Sequence, residues 1–329
     1  MSTALLNLDL RPGKPPIFWA DGIGDPPSWA AEHRDALRDV VTEHGAVLVR
    51  GLKLRDAAGV SAVFTRLADG LMADREAFAA RTAYGEGVYS SATWPANQPM
   101  CMHHELSYRA EFPARLLFAC LAAPEQGGAT PVADAPTVLA SLPTGLVERF
   151  ERDGWLLTRT YNEDIGASYA DAFGTDDRAE VERYCAANDI EYEWLPEDGL
   201  RTRQRRSAVV RHPVTGQRCW FNQVAFLNEW TMDPEVHEYL VDVYGADGLP
   251  FNTSFGNGDP IGEDVVALLN RVYEANTARE PWQPGDLMLV DNIRMAHSRE
   301  AYEGQREVLV GLADLVHLAD GPSDGVRPE

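Results

Sequence analysis

Apolar residues recur at helical spacing over residues 28–43 and again over 55–69, with the apolar run Ala46-Val-Leu-Val49 between them. This pattern predicts a helix, a buried strand and a second helix. From about residue 98 the texture changes. Short apolar runs bounded by turn residues predict strands at 100–106, 115–121, 155–161, 206–211, 218–225, 286–291 and 306–313. Residues 175–197 interrupt the series: Thr175-Asp-Asp-Arg178 supplies an N-cap and an acidic first turn, and the segment reads as a helical insert. A further helix fits 260–278, after the Gly/Asn/Asp-rich turn at 256–259. No repeat, low-complexity tract or long linker divides the chain. The pattern predicts one domain over 1–329, with an N-terminal α/β flank at 28–97. Over 98–315 it predicts a core that is mainly β with covering helices, a double-stranded β-helix of the jelly-roll, cupin-like kind.

Composition changes this picture in one respect. There are 29 basic and 51 acidic residues among 329, a net charge of −22. Such a surface repels nucleic acid and anionic membranes, so neither is an expected partner. No stretch reaches the length of a membrane span, and the first residues lack the basic region and apolar run of a secretory signal; a cytoplasmic location is expected. Cys101, Cys120, Cys185 and Cys219 are scattered and form no Cys-x-x-Cys pair, so reduced, buried thiols are expected.

Candidate chemistry begins at Met102-His103-His104-Glu105-Leu106. On a strand, side chains alternate faces, so His103 and Glu105 point one way and His104 the other. An imidazole and a carboxylate on one face can share a cation, but a third ligand is needed. His33 and His44 fall in or beside the first helix, His237 in a surface helix, His212 in a turn before Pro213 and His317 in the polar C-terminal tail. His297, shortly after the predicted strand 286–291, is the best remaining candidate. Two histidines and one carboxylate make a facial triad that leaves positions open for a chelating co-substrate and O2. The same ligands would also serve a zinc hydrolase or isomerase. Arg306 adds a second feature, because it heads the apolar run Glu307-Val-Leu-Val-Gly-Leu312. A guanidinium opening a buried strand requires a partner and can clasp a carboxylate with two hydrogen bonds. A hydrolase has no use for such a clasp.

These segments resemble, in order, the taurine dioxygenase-like (TauD/TfdA) family, most closely its syringomycin-type, clavaminate synthase-like amino-acid hydroxylase branch. The matching stretches are Pro99–Tyr108, Gly127-Gly-Ala-Thr-Pro-Val-Ala-Asp134, Leu200–Gln204, His212–Gly216, Trp220-Phe-Asn-Gln223, Gly256–Ile261 and Gly285–His297. The resemblance implies an Fe(II) enzyme with 2-oxoglutarate and O2 as co-substrates. His103, Glu105 and His297 fall at the iron positions, Thr130 and Arg306 at those binding the distal carboxylate of 2-oxoglutarate, and Phe221 and Asn222 beside the substrate pocket. Sulfonate-oxidising members carry a second arginine four residues after the first; here that position is Val310. Halogenases lack the metal carboxylate, and Glu105 is present. The expected substrate is thus an amino acid or small derivative of specialised, antibiotic-type metabolism, either free or tethered to a peptide-synthetase carrier domain. The basic run Leu200–Arg211 would hold a substrate carboxylate, dock a carrier, or simply balance surface acids.

Overall fold

A computed structural model describes residues 6–20, 22, 24–76, 78–79, 81–162 and 165–317. It is mostly sheet with several helices. The largest sheet has eight strands in the order Leu8–Asp9, Ile17–Trp19, Ala46–Arg50, Leu287–Asp291, Glu111–Ala122, Glu307–His317, Val88–Ser90 and Ala83–Gly85. Among the described residues, only the pairing of Ile17–Trp19 with Ala46–Arg50 is parallel. Strands from both ends of the chain therefore lie side by side, and the predicted flank shares a sheet with the predicted core.

The alternation along Glu111–Ala122 explains how this sheet holds two cores. Leu116, Phe118 and Cys120 face one of them with Leu48, Met288, Val290, Val308 and Val310. Leu117 and Ala119 face the other with Val47, Val49, Leu287, Leu289 and Leu309. Helices Pro26–His44 and Ala57–Leu67 cover this second face through Leu37, Val41, Val60 and Phe64. Strands buried on both faces read as continuous apolar runs, as 46–49 and 286–291 do. The first core is shared with a four-stranded sheet ordered Thr277–Ala278, Val132–Asp134, Met295–Arg299 and Met100–His103, which contributes Met102, Val132, Ala133 and Ala296.

A third sheet, Ile190–Trp194, Leu200–Arg206, Trp155–Tyr161 and Phe251–Phe255, corrects two expectations. The insert at 175–197 is helical only over Arg178–Ala187; Ile190–Trp194 then forms an edge strand against Leu200–Arg206. The basic run is itself this strand, with Leu200, Thr202, Gln204 and Arg206 buried while Arg203 and Arg205 are exposed. Arginine at alternate positions masked the period-2 pattern. The strand expected at 206–211 is accordingly two, broken at Ser207-Ala208, and the one expected at 218–225 ends at Trp220. Helix Ala135–Ser141 was not foreseen, while Pro234–Tyr244 is the surface helix expected around His237; both carry legible start signals, the side chains of Asp134 and Asp233 accepting from the first-turn amides, with proline following each. Cys120, Cys185 and Cys219 are buried free thiols and Cys101 is half-buried and free. Among the described residues no helix is long and apolar enough to cross a membrane.

The helix Ala57–Leu67 packs tightly on the sheet at Gly311, where a Cβ would lie 2.6 Å from Phe64 Cδ2. Gly311→Ala is expected to destabilise the fold by roughly 1–3 kcal/mol through overpacking. In urea denaturation this appears as a lower midpoint with an unchanged slope.

Candidate active site

His103 ends the strand Met100–His103, and His297 is central in Met295–Arg299. These strands pair antiparallel with His297 directly opposite His103, and the ring centroids are 4.3 Å apart. Glu105 is not on a strand, which corrects the expected element at 100–106: it lies in the turn that follows His103. Asn292 holds this turn in place. Its Oδ1 accepts from the Glu105 amide at 2.8 Å, and its Nδ2 donates to the carbonyls of Glu105 (3.0 Å) and Pro113 (2.8 Å). Leu106 takes a left-handed φ of 54°, and Gln223 donates to the His104 carbonyl at 2.7 Å. His104 points away from the site as expected, with Nδ1 2.6 Å from the Asn292 carbonyl.

The result is a convergent donor set. Glu105 Oε2 lies 3.9 Å from His103 Nε2 and 3.6 Å from His297 Nε2, and all three residues are buried. The three donor atoms lie within 4.8 Å of one another, close enough to share one metal ion. His103 Nδ1–H donates to the Cys101 carbonyl at 2.8 Å, which fixes the tautomer and presents the Nε2 lone pair. Burial, reinforced by His297, pulls the His103 pKa down to about 3, so it is a neutral imidazole. Burial alone would raise the Glu105 carboxyl; Arg81 and His297 outweigh it and hold the group well below the usual carboxylate range. Arg81 Nη2 donates to Glu105 Oε1 at 2.9 Å, leaving Oε2 to the histidines. Nitrogen and oxygen donors with one negative charge fit a divalent cation such as Fe(II).

Arg306 and Thr130 meet beside this set. The guanidinium donates to the Gly128 carbonyl (2.8 Å), Ser91 Oγ (3.2 Å) and Thr130 Oγ1 (3.2 Å), and Trp282 Nε1 donates to the same threonine hydroxyl at 3.1 Å. Among the described residues no carboxylate forms an ion pair with Arg306. Burial and the nearby Arg299 draw its pKa down to about 10. A half-buried cation that lacks an acidic partner calls for an anion. One small cavity of about 40 Å³ is lined by His103, Glu105, Thr130, His297, Arg299 and Arg306.

Phe221 and Asn222 are not brought to this cavity. Phe221 packs against His104 and Phe112, and Asn222 donates to the Ala208 carbonyl at 3.1 Å, so both support the metal strand from behind. The arginines of the basic run are used locally: Arg201, Arg205 and Arg206 donate to the carbonyls of Asp247, Asp153 and Asn188. Two functional neighbours were missed. Asn292 lies inside a matched motif but shows its role only through its contacts, and Arg81 sits in an aperiodic segment that gives no signal. Arg81 also lines a larger cavity of about 680 Å³ with Asp74, Phe78, Trp94, Arg159 and Phe251.

With this geometry the chain belongs to the taurine catabolism dioxygenase TauD, TfdA family, which matches residues 9–312. It is a non-haem iron dioxygenase dependent on 2-oxoglutarate. Among its relatives, the dapdiamide synthesis protein DdaC of Enterobacter agglomerans is 33% identical over 279 residues, 85% of each chain. A clavaminate synthase-like protein of Arabidopsis thaliana is 28% identical over 287 residues, 84% of this chain and 83% of the other. A taurine dioxygenase of Burkholderia xenovorans shares the fold at a TM-score of 0.52 and 15% identity, with 96% of each chain covered.

Replacing Arg81 by Gln removes the charge that orients Glu105. Partners behind metal ligands typically control affinity by about 10–100-fold, and a loss of that size is expected in anaerobic Fe(II) titrations of Arg81→Gln.

Proposed function

We propose that this protein hydroxylates an unactivated C–H bond of an amino acid or small amino-acid derivative in specialised, antibiotic-type biosynthesis. In this reading it acts as one oxygenase domain with a jelly-roll core. His103, Glu105 and His297 hold the iron, and Arg306 with Thr130 binds the distal carboxylate of 2-oxoglutarate. An iron ion held by these residues would supply the chemistry that couples conversion of 2-oxoglutarate and O2 to succinate and CO2 with transfer of one oxygen atom into the substrate C–H bond. The observation that carries this reading is the Arg306–Thr130 pair, half-buried and buried respectively, opening onto the same small cavity as the three ligands. That pairing suits a co-substrate with an anchor at one end and a chelating end at the other.

The remaining residues divide the work. Arg81 keeps Glu105 ionised and directs one oxygen inward. Phe226 stacks on His103 at 4.5 Å and Phe118 packs on His297 at 5.5 Å, so the ligand rings are fixed and water is kept from them. Val310, also lining the small cavity, offers a sulfonate no counter-charge, which favours a substrate unlike taurine. Similarity to a protein of dapdiamide synthesis supports a place in specialised metabolism.

Anaerobic addition of Fe(II) and 2-oxoglutarate should produce a weak visible charge-transfer band. Arg306→Met should raise the 2-oxoglutarate concentration needed for that band by about 100-fold, the scale of a lost charge-assisted pair. A screen of amino acids should then yield succinate and a +16 Da product. Bound Fe(II) without any band would contradict the assignment.

A further inference from the structure

The segment between the second helix and the metal strand holds two buried polar atoms whose hydrogen bonds are unmade. Asp74 and Arg81 face each other, Arg81 Nε being 3.6 Å from Asp74 Oδ2, with side chains only 7% and 12% exposed. Arg81 Nη2 is committed to Glu105. That leaves Asp74 Oδ1 and Arg81 Nη1, each buried and, among the described residues, without a hydrogen-bond partner. Both residues line the large cavity and also the small space that touches His103 and Glu105. An orphaned acceptor and an orphaned donor thus share one wall, each desolvated without a compensating hydrogen bond. Facing one cavity, these two atoms are placed where a single ligand could complete both.

We propose that Asp74 and Arg81 form the head-group site for a free α-amino acid, the ammonium binding Asp74 Oδ1 and the carboxylate binding Arg81 Nη1. This rests on the oxygenase reading above and specifies its substrate class. Charge balance favours a zwitterion, because it satisfies both atoms while leaving the net charge of the buried site unchanged. A lone anion or cation would leave a buried charge uncompensated. Burial raises the Asp74 carboxyl above its ordinary value, an effect that the charges of Arg81, Arg109 and Arg159 offset only in part. Arg81 bridges Asp74 to the metal carboxylate, so a head group held there lies one guanidinium away from the reacting centre. Phe78 packs on Phe226 (5.2 Å) and Phe251 (5.0 Å), and Phe226 on His103, which forms an aromatic wall for the substrate's carbon chain. A carrier-bound thioester has no free carboxylate and would leave Arg81 Nη1 unsatisfied.

The test uses the Fe(II)- and 2-oxoglutarate-loaded protein without O2, titrated calorimetrically with each of the proteinogenic amino acids, its N-acetyl derivative and its methyl ester. Succinate release is then measured in air. At least one free amino acid should bind, with both derivatives weakened by at least about 50-fold, since a site built to hydrogen-bond a group rejects analogues lacking it. Asp74→Asn should shrink the N-acetyl penalty by about tenfold or more and leave the ester penalty in place. If Asp74→Asn does not fold, the wild-type ratios decide alone. Equal binding of ester or N-acetyl derivative, or unchanged ratios in Asp74→Asn, would overturn the proposal. So would a normal Fe(II)–2-oxoglutarate band with no amino acid bound. Loss of the band itself would instead strike the oxygenase reading, and this inference with it.

Discussion

Antiparallel pairing of Met295–Arg299 with Met100–His103 sets His297 opposite His103, and everything at the centre depends on that register. Side chains have a period of two along a strand, so a slip of one residue would send one imidazole to the opposite face. The register is secured from several directions. Met295–Arg299 also pairs with Val132–Asp134, which carries the chain onward from Thr130, and Asn292 ties the Glu105 turn to the loop just before the same strand. Thr130, just before Val132–Asp134, and the two histidines, on the paired strands beside it, are thereby brought to one place.

Around this register the protein concentrates buried charge that it leaves incompletely paired. Arg306 is held by a carbonyl and two hydroxyls, Arg299 by the carbonyls of Trp94, Pro95 and Gln98, and Asp74 only in part by Arg81, whose Nη2 goes to Glu105. Contrast Arg50, buried in the outer part of the large sheet, which is matched by both Glu280 and Asp286. Arg50 thus meets two carboxylates, whereas Arg306 meets none among the described residues, which is the electrostatic mark of a binding site.

Much of this was legible beforehand. His103, Glu105 and His297 were picked out by spacing and elimination, and Arg306 by its unlikely place at the head of an apolar strand. The long buried strands were visible as apolar runs because both faces are covered. What stayed hidden depends on contacts. Glu105 reaches the site through a turn held by Asn292, not through strand alternation, and no one-dimensional pattern encodes that. Phe221 and Asn222 sit one layer behind the cavity, a depth that motif matching does not resolve. Arg81 and Asp74 lie in a stretch without periodicity, and Leu200–Arg206 concealed its strand character because long arginine stems can be buried while their heads bond to carbonyls.

Anomalous diffraction at the iron edge, from crystals loaded anaerobically with Fe(II), addresses the central geometry most directly. A single peak within coordination distance of His103 Nε2, a Glu105 carboxylate oxygen and His297 Nε2 is the predicted result. A peak elsewhere, or one that excludes any of these three side chains, would contradict the account.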